Sequence, residues 1–195
     1  MGCRFAFIMT LALPRLAWGS FESNQLAISG GLFSTSFAET TNLDPTSTPS
    51  SGSVGTLSAG IEFEHFFSDS RSFVMGIQLP ALPSNQSFQA GFMGFNFWVV
   101  GMGSAGSFIG EGASVRFKPG FRVSVGPIIG LGYLVYSTQS ARKSDVGALF
   151  GADVAASLSF GERMGCRLGG SFFKTTGIAT SGFGYRGGLA FTYTL

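Results

Sequence analysis

Histidine occurs once in this chain, at His65, with Ser68 three residues on and Glu62 and Glu64 just before it. Serine, histidine and an acid are the parts of a hydrolytic triad. The spacing works against that chemistry. Side chains of an extended strand alternate between faces, so His65 shares a face with Ile61 and Phe63 while both glutamates share the other. Ser68 opens a Ser-Asp-Ser-Arg turn and has no Gly-x-Ser-x-Gly elbow around it. Catalysis is therefore not expected. Two cysteines, Cys3 and Cys166, and a single histidine cannot assemble a metal site. Pairs such as Gly101-x-Gly103 lack the following helix and acid of a nucleotide fingerprint, so no cofactor is expected.

The elements that position these residues are strands. Residues 183–195 alternate nearly without fault: Phe183, Tyr185, Leu189, Phe191, Tyr193 and Leu195 on one face, Gly184, Arg186, Gly188, Ala190, Thr192 and Thr194 on the other. One face is aromatic and greasy to the last residue; the other is small, polar and charged. A lipid-facing strand of a closed membrane barrel has this pattern. The same alternation recurs at 54–67, 72–79, 121–136, 144–160 and 164–172, and more weakly at 24–37. Residues 88–101 are apolar on both faces. That makes eight strands. Longer connections at 38–53, 80–87, 137–143 and 175–181 alternate with tight ones at 68–71 and 161–163, as in barrels with short periplasmic turns and longer external loops. Residues 102–120 break the rule and are read as an elongated, irregular turn.

On this framework Glu62, Glu64, Arg122, Asp153, Arg167 and Arg186 all face inward. An eight-stranded barrel is just wide enough for its own side chains, and a buried charge without a partner costs several kcal/mol. The expectation is a packed plug of ion pairs; the functional alternative is a gated ion path that opens by exchange of partners. Phe92, Trp98 and Val100 would also point inward and form an apolar wall. With Pro127 removing a ladder donor, small hydrophobic solutes would then have a lateral exit into lipid.

Composition agrees. Only 11% of the 195 residues are charged, against 22 Phe and 30 Gly; an average soluble domain carries about 25% charge. Residues 1–19 read as a cleaved signal peptide, with Arg4 in a positive start, an apolar stretch from Phe5 to Leu13, and Ala17-Trp18-Gly19 before the cut. From Ser20 on, ten acidic and ten basic residues balance, so no nucleic acid partner is indicated. Residues 20–195 form one domain.

The end of the chain resembles the insertion signal of outer-membrane barrel proteins: Arg186, Gly188, Phe191 and Tyr193 match polar-x-Gly-x-x-hydrophobic-x-hydrophobic. Across the mature chain the architecture resembles the small eight-stranded barrels of the OmpA, OmpX and OmpW kind. That resemblance implies an all-β, closed, antiparallel up-and-down barrel in the bacterial outer membrane. It also implies contact with outer-membrane lipid and with the barrel insertion machinery. Members of such a family serve as scaffolds, narrow pores, adhesins or carriers of hydrophobic solutes. The expected role is scaffold or narrow pore, with the 38–53 loop as the contact surface for an extracellular ligand.

Two rival classes bear on this. Ser72 to Gly110 contains no charge, and 89–109 is long enough for one membrane-spanning helix of an inner-membrane protein. Six glycines between 91 and 110 oppose a helix. A secreted soluble barrel would need a polar exterior, and here the apolar set is the aromatic one.

Overall fold

The computed structural model describes residues 24–40, 50–68, 70–82, 84–101, 106–110, 113–117, 120–137, 142–160 and 163–195. The expected signal peptide, 1–19, and most of the 38–53 loop lie outside the described residues. Among the described residues there are ten strands and no helix. They are β1 (Asn24–Glu39), β2 (Ser51–Ser68), β3 (Arg71–Pro80), β4 (Ser87–Val100), β5 (Gly106–Gly110), β6 (Ala113–Phe117), β7 (Phe121–Ser137), β8 (Arg142–Phe160), β9 (Met164–Gly177) and β10 (Thr180–Thr194).

Eight of these close a ring in the order β1-β2-β3-β4-β7-β8-β9-β10, with β10 paired antiparallel to β1. The fold is the all-β, closed, antiparallel up-and-down barrel expected from the alternation. Closure removes the free edges that an open sheet would present. β1 begins and β10 ends at one end of the barrel, where Leu195 N donates to Asn24 O at 3.0 Å. That terminal end also carries the β2–β3 and β8–β9 turns. The opposite, loop end carries the connections after β1, β3, β7 and β9.

The period of two sorts side chains as the alternation requires. Leu131, Leu168, Phe172 and Leu189 point outward and are each at least 60% exposed. Inside, the lumen has two layers. Toward the loop end, Phe33, Phe37, Phe88, Leu134, Tyr136, Leu149 and Phe173 form a buried cluster. The Phe88 and Phe173 rings stack 6.0 Å apart, with Phe33 against both. Glycine makes this layer possible: a Cβ at Gly132 or Gly184 would overlap the Phe88 or Phe173 ring respectively. The six charges from Glu62 to Arg186 lie toward the terminal end.

Four expectations meet a different outcome, the first of them the rival helix and not the strand reading of 88–101. The described residues of 89–109 form no helix: Gln89–Val100 belong to β4 and Gly106–Ile109 to β5. Glycine's backbone entropy in a helix is one cause, and pairing of β4 with β3 and β7 is the other. The 102–120 segment is not an irregular turn. It contains a hairpin, β5 with β6, paired in a separate two-stranded sheet. Two extra strands preserve the parity of the barrel, which a single ninth strand would have broken. Gly101, at φ 71°, the one positive φ among the described residues, leads out of β4 toward it.

The third departure concerns loop lengths. β1 and β2 run into the 38–53 segment as far as Glu39 and from Ser51, and Ile178-Ala179 alone connect β9 to β10. Main-chain ladders need no apolar side chains, so Thr- and Ser-rich stretches above the greasy zone continue as strand. The fourth is Val100. A register shift between Trp98 and Val100 inserts one residue, which reverses parity, and Val100 is 47% exposed instead of facing inward.

Candidate functional site

Three acids and three arginines occupy the terminal half of the lumen. Glu62 and Glu64 come from β2, Arg122 from β7, Asp153 from β8, Arg167 from β9 and Arg186 from β10, so the site is assembled across five strands. Their formal charges cancel. Five of the six form one chain. Arg186 donates from Nη2 to Asp153 Oδ1 at 3.0 Å and from Nη1 to Glu62 Oε1 at 2.9 Å. Glu62 Oε2 lies 3.5 Å from Arg167 Nη1. Arg167 Nη2 pairs in turn with Glu64. Charge-assisted bonds of this kind are the strong ones in a low-dielectric interior.

Neutral side chains that the alternation alone does not single out complete the network. Asn96 Nδ2 donates to Glu64 Oε1 at 2.9 Å, and the Ser72 hydroxyl donates to the same oxygen. Gln25 Oε1 accepts from Arg167 at 3.2 Å. Gln78 Nε2 donates to Ser29 Oγ at 2.8 Å and reaches Glu62 at 3.5 Å. Ser171 donates to Asp153 and accepts from Arg186 Nε at 3.2 Å. Inward parity was the one signal available for these residues.

The aromatic residues expected to form an apolar wall serve the charges instead. Trp98 is buried, donates from Nε1 to Ser72 Oγ at 3.0 Å, and has the Arg122 guanidinium 4.8 Å from its ring centre. Arg186 lies 4.5 Å from the Phe92 ring centre. Both contacts are within cation–π range. The space beside the charges is about 30 Å³, lined by Gly31, Gly169, Gly188 and the Glu62–Arg186 pair, room for one or two waters. That beside Phe33 and Phe173 is about 10 Å³. Nor does Pro127 open the wall. It faces outward and stays in register with Ala152 on β8. Next to it the β4 and β7 backbones run so close that a Cβ at Gly126 would overlap the Phe95 carbonyl.

A second polar cluster closes the loop end. Glu39 Oε1 accepts from Lys143 Nζ at 2.8 Å and from the Tyr136 hydroxyl at 2.9 Å, while Oε2 accepts from Ser50 N at 3.0 Å. Bonding to Lys143, then to Ser50 N–H, holds this carboxyl down at about 2. Burial, then the bond to Glu39, pushes the Tyr136 phenol up to about 12. Asp145 caps the β9–β10 turn, accepting from Thr180 N at 2.8 Å and Ala179 N at 3.1 Å.

His65 lies on the outer face with Nδ1 2.9 Å from Asn24 Oδ1, across the strand from the inward glutamates. Of the terminal motif, Arg186 and Gly188 face the lumen, while Phe191 and Tyr193 face outward on the closing strand, 48% and 38% exposed.

No protein-family model matches the sequence, and no curated protein matches it. Among solved structures, Neisserial surface protein A (NspA) superposes with a TM-score of 0.53 at 8% identity, over 87% of this chain and 97% of that one. The outer membrane protein OprG from Pseudomonas aeruginosa gives 0.46 at 10% identity, over 89% and 97% of the two chains. The N-terminal β-barrel domain of Pseudomonas aeruginosa OprF gives 0.43 at 10%, over 89% and 99%. With the closed ring of eight antiparallel strands, the likeness to NspA identifies the fold of this chain as an eight-stranded closed barrel similar to that of NspA.

Proposed function

We propose that this chain spans a bacterial outer membrane as a plugged barrel and acts there as a scaffold that presents its loop end for contact. The observation that carries this is an apolar exterior around a filled interior, charged toward the terminal end and aromatic toward the loop end. Outward Leu131, Leu168, Phe172 and Leu189 are at least 60% exposed, an arrangement that water penalises and hydrocarbon does not. Against an open pore stands the continuous chain from Asp153 to Glu64. Against a solute carrier stands the size of the inner spaces, about 30 and 10 Å³, when small-ligand sites measure about 300–1,000 Å³.

Two measurements test this together. Detergent-extracted protein should migrate faster on an SDS gel when unboiled and should fractionate with the outer membrane. In planar bilayers it should conduct little or no current, and Glu62→Gln should leave that unchanged. Steady single-channel current in the wild type that Glu62→Gln alters would replace the scaffold reading with the gated path. A band that does not shift, in the inner-membrane fraction, would remove the barrel reading itself.

A further inference from the structure

Away from the strand ends, one outward side chain of the described barrel residues carries a charge, Lys174 on β9. It sits at a particular height. From Met164 to Lys174 are ten steps of about 3.3 Å, tilted about 40°, so Lys174 lies about 25 Å above the terminal rim, the height of an apolar band. Below it on the same face are Phe172, Gly170 and Leu168. Beside it, in register, are Phe150 on β8 and Phe183 on β10, and its ammonium lies 5.9 Å from the Phe183 ring centre.

Lys174 borders an open groove on the outer surface of about 590 Å³, lined by the backbone at Gly52 and Gly182 and edged by Ser36, Ser51, Ser181 and Phe183. The Ser36 hydroxyl is committed to the Phe183 carbonyl at 2.9 Å, which leaves Ser51, Ser181 and the lysine as donors to an incoming group. The opposite side of the barrel has a groove across β3, β4, β7 and β8, walled by Ile77, Leu79, Leu131 and Val146 with Gln89 and Tyr133, and it has no cation in its lining. We infer that the Lys174 groove seats the phosphate headgroup of an anionic membrane lipid, whose acyl chains run down over Phe183, Phe172 and Leu189. The charge complements a phosphate, and the groove continues into the apolar belt.

This rests on the membrane-barrel reading, and the test separates the two. Folded protein in detergent is mixed with phosphatidic acid or phosphatidylcholine of the same chain length, and bound lipid is counted by native mass spectrometry. Phosphatidic acid should be retained about fivefold over phosphatidylcholine, the ratio set by one lysine near an anionic lipid surface. K174Q should lose that preference, K174R should keep it, and both should show the wild-type gel shift. Equal retention of the two lipids, or an undiminished preference in K174Q, overturns the site. Displacement by millimolar inorganic phosphate overturns it as a lipid site. Loss of the gel shift in the wild type would instead strike the barrel reading.

Discussion

Arg167 and Glu64 are ion-paired in the terminal half of the lumen, each with less than a tenth of its side chain exposed. Both have further partners: Gln25 on the arginine, Asn96 and Ser72 on the glutamate. Taking one partner away leaves the other charge buried and costs far more than the pair itself contributes. Glu64→Ala should lower unfolding stability in detergent by about 3–5 kcal/mol, read as the urea midpoint. Glu64→Leu with Arg167→Met should recover most of that loss. A double variant as damaged as the single one would mean that the whole hydrogen-bonded network, and not the stranded charge, governs stability.

The loop-end cluster predicts a pH dependence with two edges. Glu39 sits at about 2 against 4.5 for the ordinary group, so its contribution is complete above about pH 4.5 and is lost as pH falls through about 2. Tyr136, raised from 10.0 to about 12, contributes fully below pH 10 and loses its contribution as pH rises through about 12. Glu39→Gln should flatten the acid limb of a plot of urea midpoint against pH. An unchanged acid slope would show that the lumen carboxylates alone set it.

Leu189 lies near mid-height on β10, between Phe183 and Tyr193, and is 63% exposed. Leu189→Arg should cost about 2–4 kcal/mol in a bilayer if that face meets hydrocarbon. Unfolding from lipid vesicles measures this directly. A change near zero would mean that water, not lipid, covers the exterior.

Gly184 faces the lumen under the Phe173 ring, and a methyl there also crowds the Ser34 carbonyl. Gly184→Ala should destabilise by about 1–3 kcal/mol through overpacking. Gly184→Ala with Phe173→Leu should regain part of that, since the smaller side chain yields the space. Urea midpoints of the three proteins decide it.

The hairpin of β5 and β6 pairs in its own sheet and contributes no rung to the barrel. Replacing residues 102–119 by a short turn should leave the heat-dependent gel shift intact. Its loss would assign the hairpin a part in barrel assembly.

What the sequence by itself determined is the sidedness of each strand. A period of two needs no tertiary information, because alternate residues of any strand face opposite ways. That is why the inward set from Glu62 to Arg186 and the outward aromatics were legible in the order of residues. Tertiary structure decided what depends on neighbours. One inserted residue at Trp98–Val100 turned Val100 outward, and pattern alone carries no mark of a bulge. The polar ends of β1, β2, β9 and β10 became strand because paired backbones need no greasy side chains. Phe92 and Trp98 became faces for arginines, and Glu39 met Lys143 from 104 residues away, because ring closure alone fixes which inward residues share a height.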